Sequence, residues 1–166
     1  MLDRHGALYK GRKDGMNTYK EELAKLTNPT KIKGDIAVAM SGADVFIGLS
    51  GKGLLHKDHV MSMAPKAIVF ALANPEPEIL PEEAKKAGAH VIATGRSDFP
   101  NQINNALVFP GVFRGALDNN VKTITQKMKL KAAHALAGLV GRPTAAKILP
   151  DILDKRNVPT IANAIR

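Results

Sequence analysis

Side-chain amides are concentrated in one short stretch of this chain. Asn101, Gln102, Asn104 and Asn105 fall within five residues, shortly after the apolar run His90–Ala93. An Asn amide offers a donor and an acceptor without charge, which suits a carboxylate or an amide-bearing ligand. Asn and Gln also occur in caps and turns, where they bond to nearby backbone. Because open α/β sheets bind ligands at the carboxyl ends of their strands, this position favours a binding role.

Two earlier segments have the same arrangement. Asp44–Leu49 runs into the loop Ser50–Gly53, and Ala67–Leu72 runs into the loop Asn74–Pro77. Each loop is followed by a helical pattern, and three successive strand–loop–helix units predict an α/β fold with a parallel sheet. The loops then share one edge of the sheet, and we expect the functional site along that edge.

The first of these loops is rich in glycine. Gly48, Ser50, Gly51 and Gly53 belong to a segment of the form G-x-x-G-x-G, which differs from the GxGxxG turn of dinucleotide-binding folds. Such a loop can still present backbone N–H groups to a ligand. Asp3 is a further candidate, since an acidic residue near the end of a strand accepts hydrogen bonds from the adenosine ribose in such folds.

The strand, GxGxxG turn and helix that normally open a dinucleotide-binding fold have no match in this sequence. If Met1–Asp3 ends the second strand, the expected fold is a Rossmann-like parallel sheet without its first strand and GxGxxG turn. The strand at Asp44–Leu49 would then carry an unpaired edge, which is a template for association. We expect another copy or an upstream polypeptide to cover this edge; alternatively, Met1–Tyr9, expected as a strand end and a turn, pairs with it directly.

Beyond Gly111 the sequence changes character. The spacing of apolar residues predicts a long helix over Val121–Val140. Pro143, Pro150 and Pro159 separate shorter helices after it. The residue types of this tail indicate packing rather than chemistry.

Composition excludes several classes of function. The chain has 166 residues, 45% of them hydrophobic, which is enough for one domain with a core. It has no cysteine, which excludes disulfides and a thiol nucleophile. A net charge of +9 is compatible with a polyanionic partner, but only 4% of residues are aromatic and the lysines are dispersed, so we expect no nucleic-acid partner. No apolar run reaches membrane-spanning length, so we expect a cytoplasmic protein without a membrane partner.

Neither a metal site nor a proton-transfer pair is evident. His56 and His59 lie three residues apart with only Asp58 nearby as a further ligand, and the pattern HExxH is absent. No acid and base are spaced to act together. We therefore expect no metal ligand and no catalytic residue in this chain.

Four motifs follow the order found in a known family: DRHGALYKGRKDGMN (Asp3–Asn17), ADVFIGLSGKGLL (Ala43–Leu55), IVFALANPEPEILPEEA (Ile68–Ala84) and TGRSDFPNQINNALVFPGVFRGALD (Thr94–Asp118). Together they resemble the carboxyl-terminal, NAD(P)-binding domain of malic enzymes, which oxidise and decarboxylate malate to pyruvate. The small form from bacteria and archaea is the closer match. The resemblance implies a partial NAD(P)-binding domain over residues 1–118 and a helical carboxyl-terminal extension, packed on the same domain, over residues 119–166.

The resemblance also implies roles for individual residues. Asp3 corresponds to the acidic residue at the adenosine ribose, and Gly48–Gly53 to a loop beside the dinucleotide. Asn74 corresponds to an amide near the nicotinamide and the substrate. Asn104 and Asn105 correspond to an Asn pair, one of which binds the substrate carboxylate.

The implied cofactor is NAD or NADP. Asp3 would repel a 2′-phosphate, which favours NAD. Arg4, Arg12 and Lys13 could instead accommodate that phosphate. We expect NAD, with NADP as the alternative and Arg12 as a candidate cofactor-binding residue.

In the family, the catalytic Tyr and Lys and the carboxylates that bind Mg²⁺ or Mn²⁺ lie upstream of the segments matched here. We therefore expect this chain by itself to be inactive. The complete enzyme, meaning this chain together with the amino-terminal part, is expected to act on malate, to release pyruvate and to be a homo-oligomer. The alternative is a free-standing nucleotide-binding or regulatory module without catalysis.

Overall fold

A three-stranded parallel sheet forms the centre of the structure, a computed structural model that describes all residues from Met1 to Arg166. A two-stranded hairpin and seven α-helices accompany this sheet. In chain order the elements are β1 (Leu2–Asp3), β2 (Gly6–Ala7), α1 (Thr18–Leu26), α2 (Ile36–Met40), β3 (Val45–Gly48), α3 (Lys57–Met61), β4 (Ile68–Ala71), α4 (Pro81–Lys86), β5 (Val91–Thr94), a 3₁₀ turn (Asn105–Leu107), α5 (Phe109–Asp118), α6 (Gln126–Gly138) and α7 (Asn157–Ala162).

The sheet has the strand order β3-β4-β5, and both strand pairs are parallel. In register, Val45 lies opposite Ile68, and Ile68 lies opposite Val91. This confirms the predicted α/β fold built from three strand–loop–helix units. None of the helices has the length and hydropathy needed to cross a membrane.

The main core lies between the central strand and the helices that follow the strands. Val69 and Ala71 of β4 are fully buried and cluster with Met40 of α2, Val60 of α3 and Ala84 of α4. Parallel strands joined by helices read as continuous apolar runs because their faces are covered. That is why the sequence pattern located these strands.

The first nine residues depart from the expectation of one strand end followed by a turn. Leu2 pairs with Ala7 and Asp3 pairs with Gly6, so β1 and β2 form a small antiparallel hairpin. The hairpin is tied to the chain before α2, where the Ala7 N–H donates to the Gly34 carbonyl oxygen at 2.8 Å. The alternative in which this segment pairs with β3 is therefore wrong, because its backbone groups are used locally.

The outer edge of β3 has no neighbouring strand in this chain. Side chains along it are exposed to an unusual degree for apolar residues: Val45 by 48%, Ile47 by 60% and Leu49 by 80%. The sheet thus ends at β3 with an open edge.

A second, smaller core lies among the helices of the carboxyl-terminal half. It consists of Leu107, Ala132, Leu136, Ile161 and Ile165. It joins α5, which precedes the predicted boundary at residue 118, to α6 and α7, which follow it. The division of the chain into residues 1–118 and 119–166 stays a prediction.

Helix α6 is shorter than the predicted span Val121–Val140. It begins at Gln126 because Thr125 acts as its N-cap: the Thr125 hydroxyl accepts a hydrogen bond from the Met128 N–H at 3.2 Å. Asn120, with φ of 51°, turns the chain after α5. The apolar spacing before the cap therefore belongs to a connecting segment, which periodicity alone does not distinguish from a helix.

Two glycines allow α5 to approach α7 closely. A Cβ on Gly115 would lie 2.4 Å from the Ala162 carbonyl oxygen, and one on Gly111 would lie 2.6 Å from Cβ of Ile161. Real Cβ atoms do not come this near to other heavy atoms, so a larger residue at either position would require α5 and α7 to shift.

We expect Gly115→Ala to destabilise the chain by about 1–3 kcal/mol, because the added methyl meets backbone that cannot move without separating α5 from α7. Urea unfolding at equilibrium measures this change. Gly138→Ala is the matched control: a Cβ there meets no atom within 4 Å, and Gly→Ala in a helix is otherwise neutral or stabilising. Equal stabilities for the two variants would contradict the close approach.

Candidate functional site

The loops that follow β3 and β4 are joined to each other. The Gly53 N–H donates to the Pro77 carbonyl oxygen at 3.4 Å, and the Leu55 N–H donates to the Glu78 carbonyl oxygen at 3.1 Å. A cleft of about 580 Å³ opens beside this junction. The structure therefore brings the predicted loops Ser50–Gly53 and Asn74–Pro77 together at the edge of the sheet.

Glu78 lies at this junction and was not among the residues predicted from the sequence. Its side chain is completely buried, and Oε1 accepts from the Ser50 N–H at 2.8 Å and from the Ser50 hydroxyl at 3.0 Å. Oε2 accepts from the Ala73 N–H at 3.1 Å. In the sequence Glu78 directly follows Pro77, and no local pattern around it indicates that its side chain is buried.

The Glu78 carboxylate also accounts for the glycine at the end of β3. A Cβ on Gly48 would lie 2.4 Å from Oε1 of Glu78. Because Glu78 takes the space beside Gly48 and the N–H of Ser50, a ligand has neither of them available. The N–H groups of Gly51 and Lys52 donate to no acceptor in the chain. The cofactor-binding roles of Gly48, Ser50, Gly51 and Gly53 remain predictions.

Some of the side-chain amides after β5 form hydrogen bonds within the chain, and others do not. Gln102 donates to the Gly95 carbonyl oxygen at 3.3 Å, and the Asn104 side-chain oxygen caps the 3₁₀ turn by accepting from the Ala106 N–H at 2.9 Å. Asn105 is exposed and its amide makes no hydrogen bond within the chain. In the neighbouring loop, Asn74 is likewise exposed and makes no side-chain hydrogen bond. The unengaged amides at the sheet edge are thus Asn74 and Asn105.

Asn101 has a structural position. Its Nδ2 donates to the carbonyl oxygens of Ile92 and Ala145, both at 2.9 Å, and its Oδ1 accepts from the Ile148 N–H at 2.9 Å. With φ of 58°, it lies in the left-handed region that Asn tolerates. The residue joins the end of the sheet to the segment between α6 and α7.

Asp3 lies at the centre of an ion cluster on the hairpin. Its Oδ1 accepts from Arg12 Nη1 at 2.9 Å and from the His5 N–H at 2.9 Å. Its Oδ2 accepts from Arg12 Nη2 at 2.5 Å and from Lys20 Nζ at 2.6 Å. A carboxylate has about four acceptor positions, so every position on Asp3 is filled within the chain.

The hydrogen bonds from Arg12 hold the pKa of the Asp3 carboxyl well below its usual range; burial opposes this effect, and Lys20 and the His5 N–H lower the pKa further. The pKa of Arg12 is raised in turn by its hydrogen bonds to Asp3. Because the pKa of Asp3 is lowered by folding, the cluster stabilises the fold above the ordinary pKa of Asp and loses this effect as the pH falls. Asp3 and Arg12 were candidates from their residue types, whereas no sequence pattern indicated Lys20, which α1 places here after its Asn17 cap.

No group of three or more His, Cys, Asp or Glu side chains is arranged to hold a metal ion. His56 and His59 take part in capping α3, where the His59 Nδ1 accepts from the His56 N–H at 3.1 Å. These two histidines therefore have a structural use.

A parallel sheet with helical crossovers and strand-end loops gathered on one edge defines a class of protein, the Rossmann-like nucleotide-binding domain. The family model described as "Malic enzyme, NAD binding domain" matches residues 1–165. The chain belongs to the malic enzyme family, and it is the NAD-binding domain of that family.

Similar proteins agree with this placement. The bifunctional malic/malolactic enzyme of Bacillus subtilis (strain 168) is 50% identical over 167 residues, which cover 99% of this chain and 41% of that protein. The NADP-dependent malic enzyme of Rhizobium meliloti (strain 1021) is 52% identical over 140 residues, covering 84% of this chain and 18% of that protein.

The solved structures extend the likeness to the fold. The crystal structure of the NAD-dependent malic enzyme from Thermotoga maritima superposes with a TM-score of 0.94 at 41% identity, over 99% of this chain and 43% of that one. The malic enzyme of Pyrococcus horikoshii Ot3 gives 0.85 at 49% identity, over 89% of this chain and 35% of that one. The chain thus spans less than half the length of these relatives.

We expect Gly48→Ala to destabilise the chain by about 1–3 kcal/mol, because the methyl must displace a buried, hydrogen-bonded carboxylate. Gly51→Ala, in the same loop, adds a Cβ with no atom within 4 Å and should change stability little. Thermal unfolding of both variants provides the measurement. A loss that is the same in both would show that the loop as a whole, and not the Glu78 contact, requires glycine.

Proposed function

We propose that this chain binds the nicotinamide cofactor and part of the substrate in a malic enzyme, which converts malate to pyruvate and CO₂ while NAD(P)⁺ is reduced. The observation that carries the proposal is the pair of exposed, unengaged amides: Asn74 lies in the loop after β4, and Asn105 begins the 3₁₀ turn after β5. When bound, the cofactor supplies the nicotinamide ring that accepts a hydride.

In this proposal the side-chain amides hold the substrate. The Asn105 Nδ2 is free to donate to a malate carboxylate, and such a charge-assisted hydrogen bond is stronger than a neutral one. The Asn104 oxygen caps the 3₁₀ turn, which leaves its Nδ2 as a second donor. Asn74 offers a donor and an acceptor to the nicotinamide and the substrate.

The Mg²⁺ or Mn²⁺ ion that the resemblance implies does not fit the residues of this chain, since no cluster of ligating side chains is present. We propose that its ligands, and the proton-transfer groups, belong to the amino-terminal part of the complete enzyme. The role left to this chain is to bind and orient.

In the complete enzyme, Asn105→Ala should raise the malate KM or lower kcat, with a loss in kcat/KM worth about 1.5–3 kcal/mol from the missing hydrogen bond. Asn104→Ala should act in the same direction. Asn163→Ala, an exposed Asn at the end of α7, is the matched control and should leave both constants unchanged. Steady-state kinetics with malate decide.

If Asn104→Ala and Asn105→Ala both keep the kinetic constants of the wild type, the pair has no substrate role. The 166-residue chain alone should give no malate-dependent reduction of NAD(P)⁺. Turnover by this chain would show that the proton-transfer groups lie within it.

The ion cluster at Asp3 bears on the choice of cofactor. A ribose hydroxyl can reach an Asp3 oxygen only if one of the present donors leaves, and Lys20, whose side chain is 30% exposed, is more accessible than Arg12 at 5%. With Lys20 displaced, Asp3 accepts from the ribose, as NAD requires. With Lys20 in place, Arg12 and Lys20 together carry two positive charges against the single negative charge of Asp3. The net positive charge suits a 2′-phosphate. We propose NAD as the cofactor. NADP is the alternative, which would bind with Lys20 in its present position.

Lys20→Gln in the complete enzyme should lower kcat/KM for NADP by about tenfold relative to that for NAD, because a charged donor to the 2′-phosphate is lost. Lys25→Gln, on the same helix and exposed without an ion pair, is the control. The ratio of kcat/KM for the two cofactors is the measurement. A ratio that Lys20→Gln leaves unchanged would remove Lys20 from cofactor selection.

The open edge of β3 leads to a prediction about association. Unpaired N–H and C=O groups flanked by apolar side chains recruit another strand, and the amino-terminal part or a second copy would supply it. Light scattering of the 17.8 kDa chain at micromolar concentration should give more than the monomer mass. Ile47→Lys should restore the monomer, whereas Leu153→Lys, at a residue that is 85% exposed elsewhere, should not. A wild-type chain that stays monomeric would contradict this prediction.

A further inference from the structure

The buried carboxylate of Glu78 is paired with no cation. None of the ion pairs in the chain includes it, and its side chain has no exposed surface. A buried polar or charged group is costly unless hydrogen bonds satisfy it. Glu78 therefore depends on its three donors, the Ser50 N–H, the Ser50 hydroxyl and the Ala73 N–H.

These donors come from two different loops. Ser50 follows β3, and Ala73 follows β4, one residue before Asn74. The Glu78 side chain bridges them from Oε1 on one side to Oε2 on the other. Backbone hydrogen bonds from Gly53 and Leu55 to the 77–78 segment close the same junction. These hydrogen bonds tie the two loops together.

Asn74 itself makes no side-chain hydrogen bond and is exposed, so its own amide does not fix its place. What fixes it is the backbone immediately before it, through the hydrogen bond from the Ala73 N–H to Glu78. Gly48 leaves room for this arrangement, since any larger residue would meet Oε1 of Glu78. We propose that Glu78 is a positioning residue, which acts through Asn74 by holding its loop against the Ser50 loop. This inference rests on the proposed role of Asn74.

The test is a kinetic double-mutant cycle in the complete enzyme between Glu78→Gln and Asn74→Ala. The Gln side chain keeps the size of Glu but turns an amide NH₂ toward the N–H of Ser50 or Ala73. Misplacement of a binding group by about 1 Å can cost about 100-fold, and we expect Glu78→Gln to lower kcat/KM for malate by about 10- to 100-fold. In the Asn74→Ala background the same substitution should have no further effect.

The possible outcomes separate the proposed role of Asn74 from the proposed role of Glu78. If Asn74→Ala alone leaves the kinetics unchanged, the proposed role of Asn74 fails. If Asn74→Ala lowers kcat/KM and Glu78→Gln lowers it by the same factor in both backgrounds, Glu78 does not act through Asn74, and the present inference is overturned. A fall in Tm with unchanged kinetic constants per folded enzyme would also overturn it, since that is what a purely structural residue gives.

Two further variants keep the test decisive. Glu82→Gln changes an exposed carboxylate in the first turn of α4 that does not line the cleft, and it should leave the kinetics unchanged. If Glu78→Gln does not fold, Glu78→Asp replaces it: the charge stays, and the carboxylate falls short by about one C–C bond, or about 1.5 Å. Wild-type kinetics in a folded Glu78→Asp enzyme would then refute the positioning role.

Discussion

A buried negative charge has to be met by hydrogen-bond donors, and in this chain that requirement organises the functional edge of the sheet. Glu78 is fully buried and obtains its donors from the loops after β3 and β4. The requirement explains why residue 48 is a glycine, because the Glu78 carboxylate fills the space where a side chain of residue 48 would lie. It also explains why part of a glycine-rich loop is unavailable to a ligand, because the Ser50 N–H already donates a hydrogen bond to Glu78. The glycine here makes room for the protein's own carboxylate, whereas the glycines of a GxGxxG turn make room for a phosphate.

The strands and the order of the loops could be predicted because they depend on local apolar runs. Val45–Gly48, Ile68–Ala71 and Val91–Thr94 all fall within or beside the predicted segments. Glu78 and Lys20 could not be found in this way, since Ser50 and Asp3, with which they form hydrogen bonds, are 28 and 17 residues distant in sequence. Contacts at such distances depend on how helices and strands are placed, which a local pattern does not contain.

The amide cluster shows the limit of residue type as a signal. Asn101, Gln102, Asn104 and Asn105 look alike in the sequence, yet the structure gives them different tasks. Asn101 is satisfied by distant backbone and Asn104 by a local cap, while Asn105 has no partner in the chain. Helix α6 is a similar case: its apolar periodicity extends before the cap at Thr125, and the cap decides where the helix begins.

The chain has two separate apolar cores, one at the sheet and one among α5, α6 and α7. Asn101 bonds to both sides, to Ile92 in β5 and to Ala145 and Ile148 ahead of α7. If the helical core opened alone, the Asn101 amide would lose two of its three hydrogen-bond partners. A single asparagine in a left-handed conformation thus connects the two cores by hydrogen bonds.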